Sequence, residues 1–363
     1  MPSLPLVGGA LALAAAAAAQ CVEPVRGGRP PLAEGCLVVY VDVGTNIGVQ
    51  LRKFFQPEHY PGSKVMPVFA RSFPTDENVR RGSRPCAFGF EANPTHTARL
   101  RQLEAAYNAA GHRLSIATET AVGTAEGNTT FFFTGSRMTD MAASTMQNVW
   151  LRRGGKRVLQ ATVRTIDLAH WLRAEVFARS EAARPGAVVI MKLDIEGSEA
   201  SVLPWLAQCG ALCGLGPTMI EEHARLAEDK AAYLRAVGPF IRAASTRSLQ
   251  ALAGVMRAAP GERCTFEPLL VDDEFYLLDN GATGKINLDR AFGISRITQR
   301  APFPKPLPLS AGGRAEGPAA PWPDWVRAHR DAVAMITRFR RRPAEGAGSR
   351  ERNHSLTVWL DAQ

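Results

Sequence analysis

The run Val38-Val39-Tyr40-Val41-Asp42-Val43-Gly44-Thr45-Asn46-Ile47-Gly48 constrains the fold more than any other segment, because an apolar stretch ends in an acid and then turns through two glycines. A buried strand that stops near Asp42 and hands over to a helix near Asn46 leaves backbone N–H groups facing an open crevice. Glycine is expected at Gly44 and Gly48 because a β-carbon there would keep a ligand from lying against the turn. The spacing is D-x-G-x-x-x-G and not the dinucleotide fingerprint G-x-G-x-x-G. Taken alone, the segment is equally readable as an ordinary strand-to-helix turn.

Three further runs have the same shape. Ala87–Glu91 ends in an acid and precedes Asn93-Pro94 and a helical stretch from Thr95 to Ala110. Val188–Asp194 leads into Ile195-Glu196-Gly197-Ser198-Glu199, and Met219-Ile220 into Glu221-Glu222-His223. Packing is indifferent to where a strand stops, whereas a ligand crevice at the carboxyl edge of a parallel sheet needs polar residues there. Strands are predicted at Leu37–Val43, Ala87–Glu91, Leu114–Ala117, Val188–Leu193 and Thr218–Glu221, with helices after Asn46, Pro94, Asp167 and Ser198. That alternation predicts an α/β fold, a mostly parallel sheet with helices on both faces. Asn128–Thr134 and Val158–Thr165 read as a β-hairpin inserted beside the sheet, and Leu269–Leu278 as antiparallel strand at its edge.

In order along the chain, VDVGTNIG, FGFEANP, TAVGTAEG, VRTIDLAHWL and MKLDIEGSEASVLPWL resemble the motifs of FkbM-type S-adenosylmethionine (SAM)-dependent methyltransferases, over roughly residues 37 to 280. The most specific is K-x-D-x-E-G-x-E, here Lys192, Asp194, Glu196, Gly197 and Glu199. The resemblance implies a Rossmann-like class I methyltransferase that uses SAM, usually for O-methylation of hydroxyl-bearing molecules, sugars among them. Gly44, Asn46 and Gly48 then shape the turn beneath the methionine part of the donor, and Asp42 fixes that turn and the donor's ammonium. Glu91, with Asn93 beside it, takes the ribose. Glu119 and Thr120 stand where many relatives carry an amide-bearing stretch near the adenine.

An unactivated alcohol must lose a proton, so a carboxylate or histidine at the strand ends is needed. Asp194 is the first candidate, with Glu196, Glu222 and His223 behind it. Lys192 alternates with Asp194 and should pair with it, holding the acid ionised. Glu199 reads either as a helix-start acid favoured by the dipole or as part of the catalytic group. No ligand spacing demands a metal.

Two enzymatic or binding rivals share such a sheet. An NAD(P)-dependent dehydrogenase is opposed by the missing fingerprint, and a secreted non-catalytic binding protein has no need of Asp42, Glu91, Asp194 and Glu196 together. With 363 residues, 46% of them hydrophobic, the chain can bury a full core. A formal charge of +9 raises nucleic acid as a partner, but the arginines are dispersed and no nucleic-acid-binding motif is present, so the expected partner is a small-molecule or glycan acceptor.

Residues 1–20 resemble a signal peptide, with an apolar Leu6–Ala19 stretch but no lysine or arginine before it. Residues 21–36 form an N-terminal segment, and residues 37–298 the methyltransferase-like domain. The sequons at Asn128 and Asn353 fit a Golgi-lumenal or extracellular protein, with a cytoplasmic location as the alternative. Six cysteines allow up to three bridges, or buried free thiols at Cys86 and Cys209. The insert Gln56–Pro85 should emerge at the amino edge of the sheet, away from the crevice. Residues 299–323 read as a Pro/Gly-rich linker and 324–363 as a basic helix and tail. Only that helix or the N-terminal segment would touch a membrane.

Overall fold

The computed structural model describes residues 21, 28–57, 60, 62–73, 85–134, 143–145, 158–253, 255–256 and 264–273. Strand β1 (Val38–Val43) is buried at every position, as a central strand covered on both faces must be. It pairs in parallel with β2 (Cys86–Glu91) on one side and β7 (Val188–Leu193) on the other. With β3 (Arg113–Thr118), β8 (Pro217–Ile220) and β9 (Glu267–Leu270), the sheet runs in the order β3-β2-β1-β7-β8-β9, every pairing parallel. This is the Rossmann order, whose strand sequence reverses at β1 and opens a crevice there.

Helices cover both faces, as expected. On one face α1 (Val49–Phe55), α2 (Met66–Ser72) and α3 (Thr97–Ala109) pack Phe54, Phe69 and Leu103 over Tyr40, Ile190 and Met219. On the other, α4 (Leu168–Trp171), α5 (Glu199–Gln208) and α6 (Lys230–Thr246) bury Trp171, Leu203 and Phe240 against Val41, Phe90 and Met191. Trp171 meets Phe90 edge-on at 4.8 Å between ring centroids.

Several expectations are corrected. The edge strand is parallel to β8, not antiparallel, because α6 carries the chain back to the amino edge before β9 begins. Residues 274–278 of that expectation lie outside the described residues. The described part of the insert lies on the Tyr40 face and not at the amino edge: Phe69 of α2 packs at 5.1 Å from the Tyr40 ring. It stays clear of the crevice, as expected. The inserted hairpin is present as β5 (Gly127–Phe133) and β6 (Leu159–Asp167), joined by a third strand, β4 (Thr120–Gly123), parallel to β6.

The free-thiol reading of Cys86 and Cys209 also fails. Bridges join Cys21–Cys209, Cys36–Cys86 and Cys213–Cys264, with Cα separations of 5.4, 5.9 and 4.3 Å. No helix among the described residues is long and apolar enough to cross a membrane. Asn128 is exposed on β5. The expectations for residues 1–20, 299–323 and 324–363 fall outside the described residues.

Candidate active site

A cleft of about 720 Å³ opens at the carboxyl ends of β1, β2 and β7, where the strand order reverses. Its near wall is braced by Glu91. One carboxylate oxygen accepts the Asn46 N–H at 2.6 Å and the other the Asn93 N–H at 2.7 Å, so a single acid ties the turn after β1 to the turn after β2. A carboxylate has about four acceptor sites, so two remain for hydroxyls in the cleft.

Around Glu91 stand polar atoms that make no hydrogen bond, although His96 Nδ1 lies 3.6 Å from Glu91 Oε1. Asn46 Oδ1, Asn93 Nδ2 and both ring nitrogens of His96 are buried and make no hydrogen bond, and all three residues line the cleft. Each such atom costs about 1–3 kcal/mol unless water or a ligand bonds to it, so this wall offers both donors and acceptors to whatever enters the cleft.

The glycines act otherwise than expected. Gly44 has φ +92°, and a β-carbon there would lie 1.7 Å from the Asp194 carbonyl oxygen; at Gly48, φ +87°, it would lie 2.2 Å from a Leu103 methyl. The close approach is of protein to protein. Gly44 borders the cleft, while Gly48 begins α1 against α3 and does not line it. Asp42 is likewise beneath the cleft and not in it. Fully buried, it accepts a hydrogen bond from the Tyr40 hydroxyl at 3.2 Å and neighbours Lys192 in register. Burial pushes its carboxyl up to about 7, with Lys192 pulling down and Asp194 pushing up. Glu119 turns away to accept from Thr97 Oγ1 at 3.0 Å, leaving Thr120 as the member of that pair on the cleft.

The far wall is the turn after β7. Glu196 (φ 54°) and Gly197 (φ 108°) adopt left-handed backbone, which reverses the chain so that Glu199 can accept the N–H groups of Ile195 at 2.8 Å and Gly197 at 2.9 Å. Glu199 is fully buried, and also meets His223 Nδ1 at 3.1 Å and the Tyr233 hydroxyl at 3.2 Å. It is thus a positioning residue, more than a helix-start charge. Lys192 pairs with Asp194, as expected, and stands 3.5 Å from Glu221.

His223 Nε2 faces Asp194 at 3.6 Å, Glu196 at 3.5 Å and Glu221 at 3.6 Å. Burial pushes the Asp194 carboxyl upward, but Lys192 and His223 outweigh it and hold the acid below its ordinary value. Burial pushes Glu196 up to about 9, His223 opposing and the neighbouring acids adding to the rise. Burial alone would lower His223, yet Glu199 and Glu221 raise it to about 11. The cluster therefore holds more carboxylates than it can ionise.

Asp194, Glu196 and His223 are brought together, with Lys192 behind. Glu222 is not: it points outward and accepts the Ala224 N–H at 2.6 Å. Glu221, the first residue past β8, takes its place: residues 221 and 223 are buried and 222 is exposed, so the strand's alternation continues beyond its end. His96 was missed for want of any pattern. Thr145 was missed because its place depends on a long crossing: its hydroxyl lies 2.8 Å from Ser198 Oγ, and Ser144 Oγ donates to the Glu196 carbonyl at 3.0 Å.

A Rossmann-order sheet with a cleft at its switch point and a carboxylate wall beside it is the arrangement in which open α/β sheets bind ligands. The methyltransferase FkbM domain model matches residues 42–247, more than half of the chain, and the chain belongs to that family of methyltransferases. No curated protein and no solved structure matches it.

Proposed function

We propose that the protein transfers a methyl group from SAM to a hydroxyl of a glycan or glycosylated metabolite. The observation that carries this reading is the juxtaposition, in one cleft, of buried Asn46, Asn93 and His96 atoms that make no hydrogen bond, grouped around Glu91, with the Asp194 wall. When bound, SAM supplies a methyl group on a positively charged sulfur. Glu91 would accept ribose hydroxyls on its free lone pairs, and Asn46, Asn93 and His96 would bond to the polar parts of the donor. The carboxylates opposite suit an acceptor that presents several hydroxyls. Asp194 is placed to receive the acceptor's proton as the carbon–oxygen bond forms. Much of the catalysis is then positioning and exclusion of water.

Calorimetry on the purified chain tests this. SAM and S-adenosylhomocysteine should both bind, and Glu91→Ala should weaken them by about 1–3 kcal/mol, roughly 5- to 150-fold. Tight NAD binding without SAM binding would overturn the reading.

The same proposal places the enzyme in the secretory pathway, in the Golgi lumen or outside the cell. Its support is the set of three cystine bridges, which persist in oxidising compartments, together with the signal-like residues 1–20. A fluorescent fusion of residues 1–40 should enter that pathway; diffuse cytosolic fluorescence would refute it.

A further inference from the structure

We propose that Asp194, Glu196 and His223 bind a divalent cation on the acceptor side of the cleft. One ligand atom from each of the three lies within 4.8 Å of the others. Ligands about 2.1 Å from a shared ion lie roughly 3.0–4.2 Å apart, so small side-chain movements close the cluster around one.

The histidine is prepared for this role. His223 is 1% exposed, and its Nδ1 is held by the fully buried Glu199. That is the carboxylate–histidine arrangement by which proteins orient an imidazole ligand and present its other nitrogen. The other nitrogen faces three carboxylates at 3.5–3.6 Å, each longer than the roughly 2.7–2.9 Å of a charge-assisted hydrogen bond. The separations to Asp194 and Glu196 already fall within the spacing of ligands around one ion, so a cation could replace these long contacts with short bonds to itself.

One imidazole with carboxylate oxygens suits first-row ions such as Mn²⁺, Fe²⁺ or Zn²⁺ better than Ca²⁺. Its catalytic part rests on the methyl-transfer reading. A cation touching the acceptor oxygen acidifies the hydroxyl, whose proton passes to a cleft carboxylate as the new carbon–oxygen bond forms. The carbon–sulfur bond breaks with its electron pair going to sulfur.

The test uses the full chain with its disulfides intact, stripped with a chelator and titrated with Mn²⁺ or Zn²⁺ by calorimetry, and with Mn²⁺ by electron paramagnetic resonance. One ion per chain should bind in the micromolar range. Glu196→Gln and Asp194→Asn should each weaken it at least about 10-fold, a loss of 1.4 kcal/mol. Glu126→Gln, on the exposed turn before β5, should leave it unchanged. Circular dichroism on the same samples reports whether each variant is folded, and S-adenosylhomocysteine binding is measured beside it. Absence of ion binding by the wild type would mean that a proton on His223 closes the cluster, and the proposal falls. Equal binding by Glu196→Gln and Glu126→Gln would place the ion elsewhere and also overturn it. Donor binding without ion binding refutes the cation alone, whereas ion binding without donor binding refutes the methyl-donor reading alone.

Discussion

Asp194→Asn should lower the rate of methyl transfer by roughly 10²- to 10⁴-fold while leaving donor affinity nearly unchanged. The amide keeps the carboxylate's shape but can neither accept a proton nor hold a negative charge. Lys192 retains Glu221 at 3.5 Å, so the fold keeps a partner for its buried ammonium. Labelled-methyl transfer from SAM to a panel of sugars and glycans, run beside S-adenosylhomocysteine calorimetry, separates chemistry from binding. If donor affinity falls in proportion to rate, Asp194 is a donor contact, and the proton acceptor must be sought at Glu196, Glu221 or His223.

Gly44→Ala should cost about 2–5 kcal/mol of stability, the sum of a left-handed-backbone penalty of about 1–2 and overpacking of about 1–3. The new β-carbon would meet the Asp194 carbonyl oxygen at 1.7 Å, and neither backbone can yield. The Gly44 N–H is bonded to the Phe90 carbonyl at 3.1 Å and the Asp194 N–H to the Val43 carbonyl at 2.9 Å. Against a typical total of about 5–15 kcal/mol, that loss is a large fraction. Urea unfolding monitored by circular dichroism measures it. Gly111→Ala is the control: φ is +88° but nothing lies within 4 Å, so only the backbone penalty of about 1–2 kcal/mol should appear. Equal losses at the two sites would show that the contact with Asp194 is not what Gly44 relieves.

The four acid-terminated apolar runs were legible because each needs only local information: apolar residues make a buried strand, and a strand's end is where polarity returns. Lys192 with Asp194 was legible for a similar reason, since alternation two residues apart places them on one side. The jobs of Gly44 and Glu199 were not. Gly44 is demanded by a carbonyl 150 residues away in sequence, and Glu199 by a histidine and a tyrosine from two later elements. The choice between Glu221 and Glu222 lay in between: alternation separates them, but which side faces the cleft depends on how β8 sits beside β7.

The sequence by itself determined the parallel α/β architecture, the order of the strand ends and the family. The architecture follows from periodicity and spacing along the chain, which short-range sterics and burial convert into strands and helices, and the family from the resemblance of its ordered motifs. Only the tertiary structure decided which polar atoms meet. It put Glu91 between two turns, Asp42 beneath the cleft, Glu222 outside it, and Asp194, Glu196, Glu199 and Glu221 around one imidazole ring. Hydrogen bonds and charge interactions act over a few ångströms in space, and distance along the chain carries no record of them.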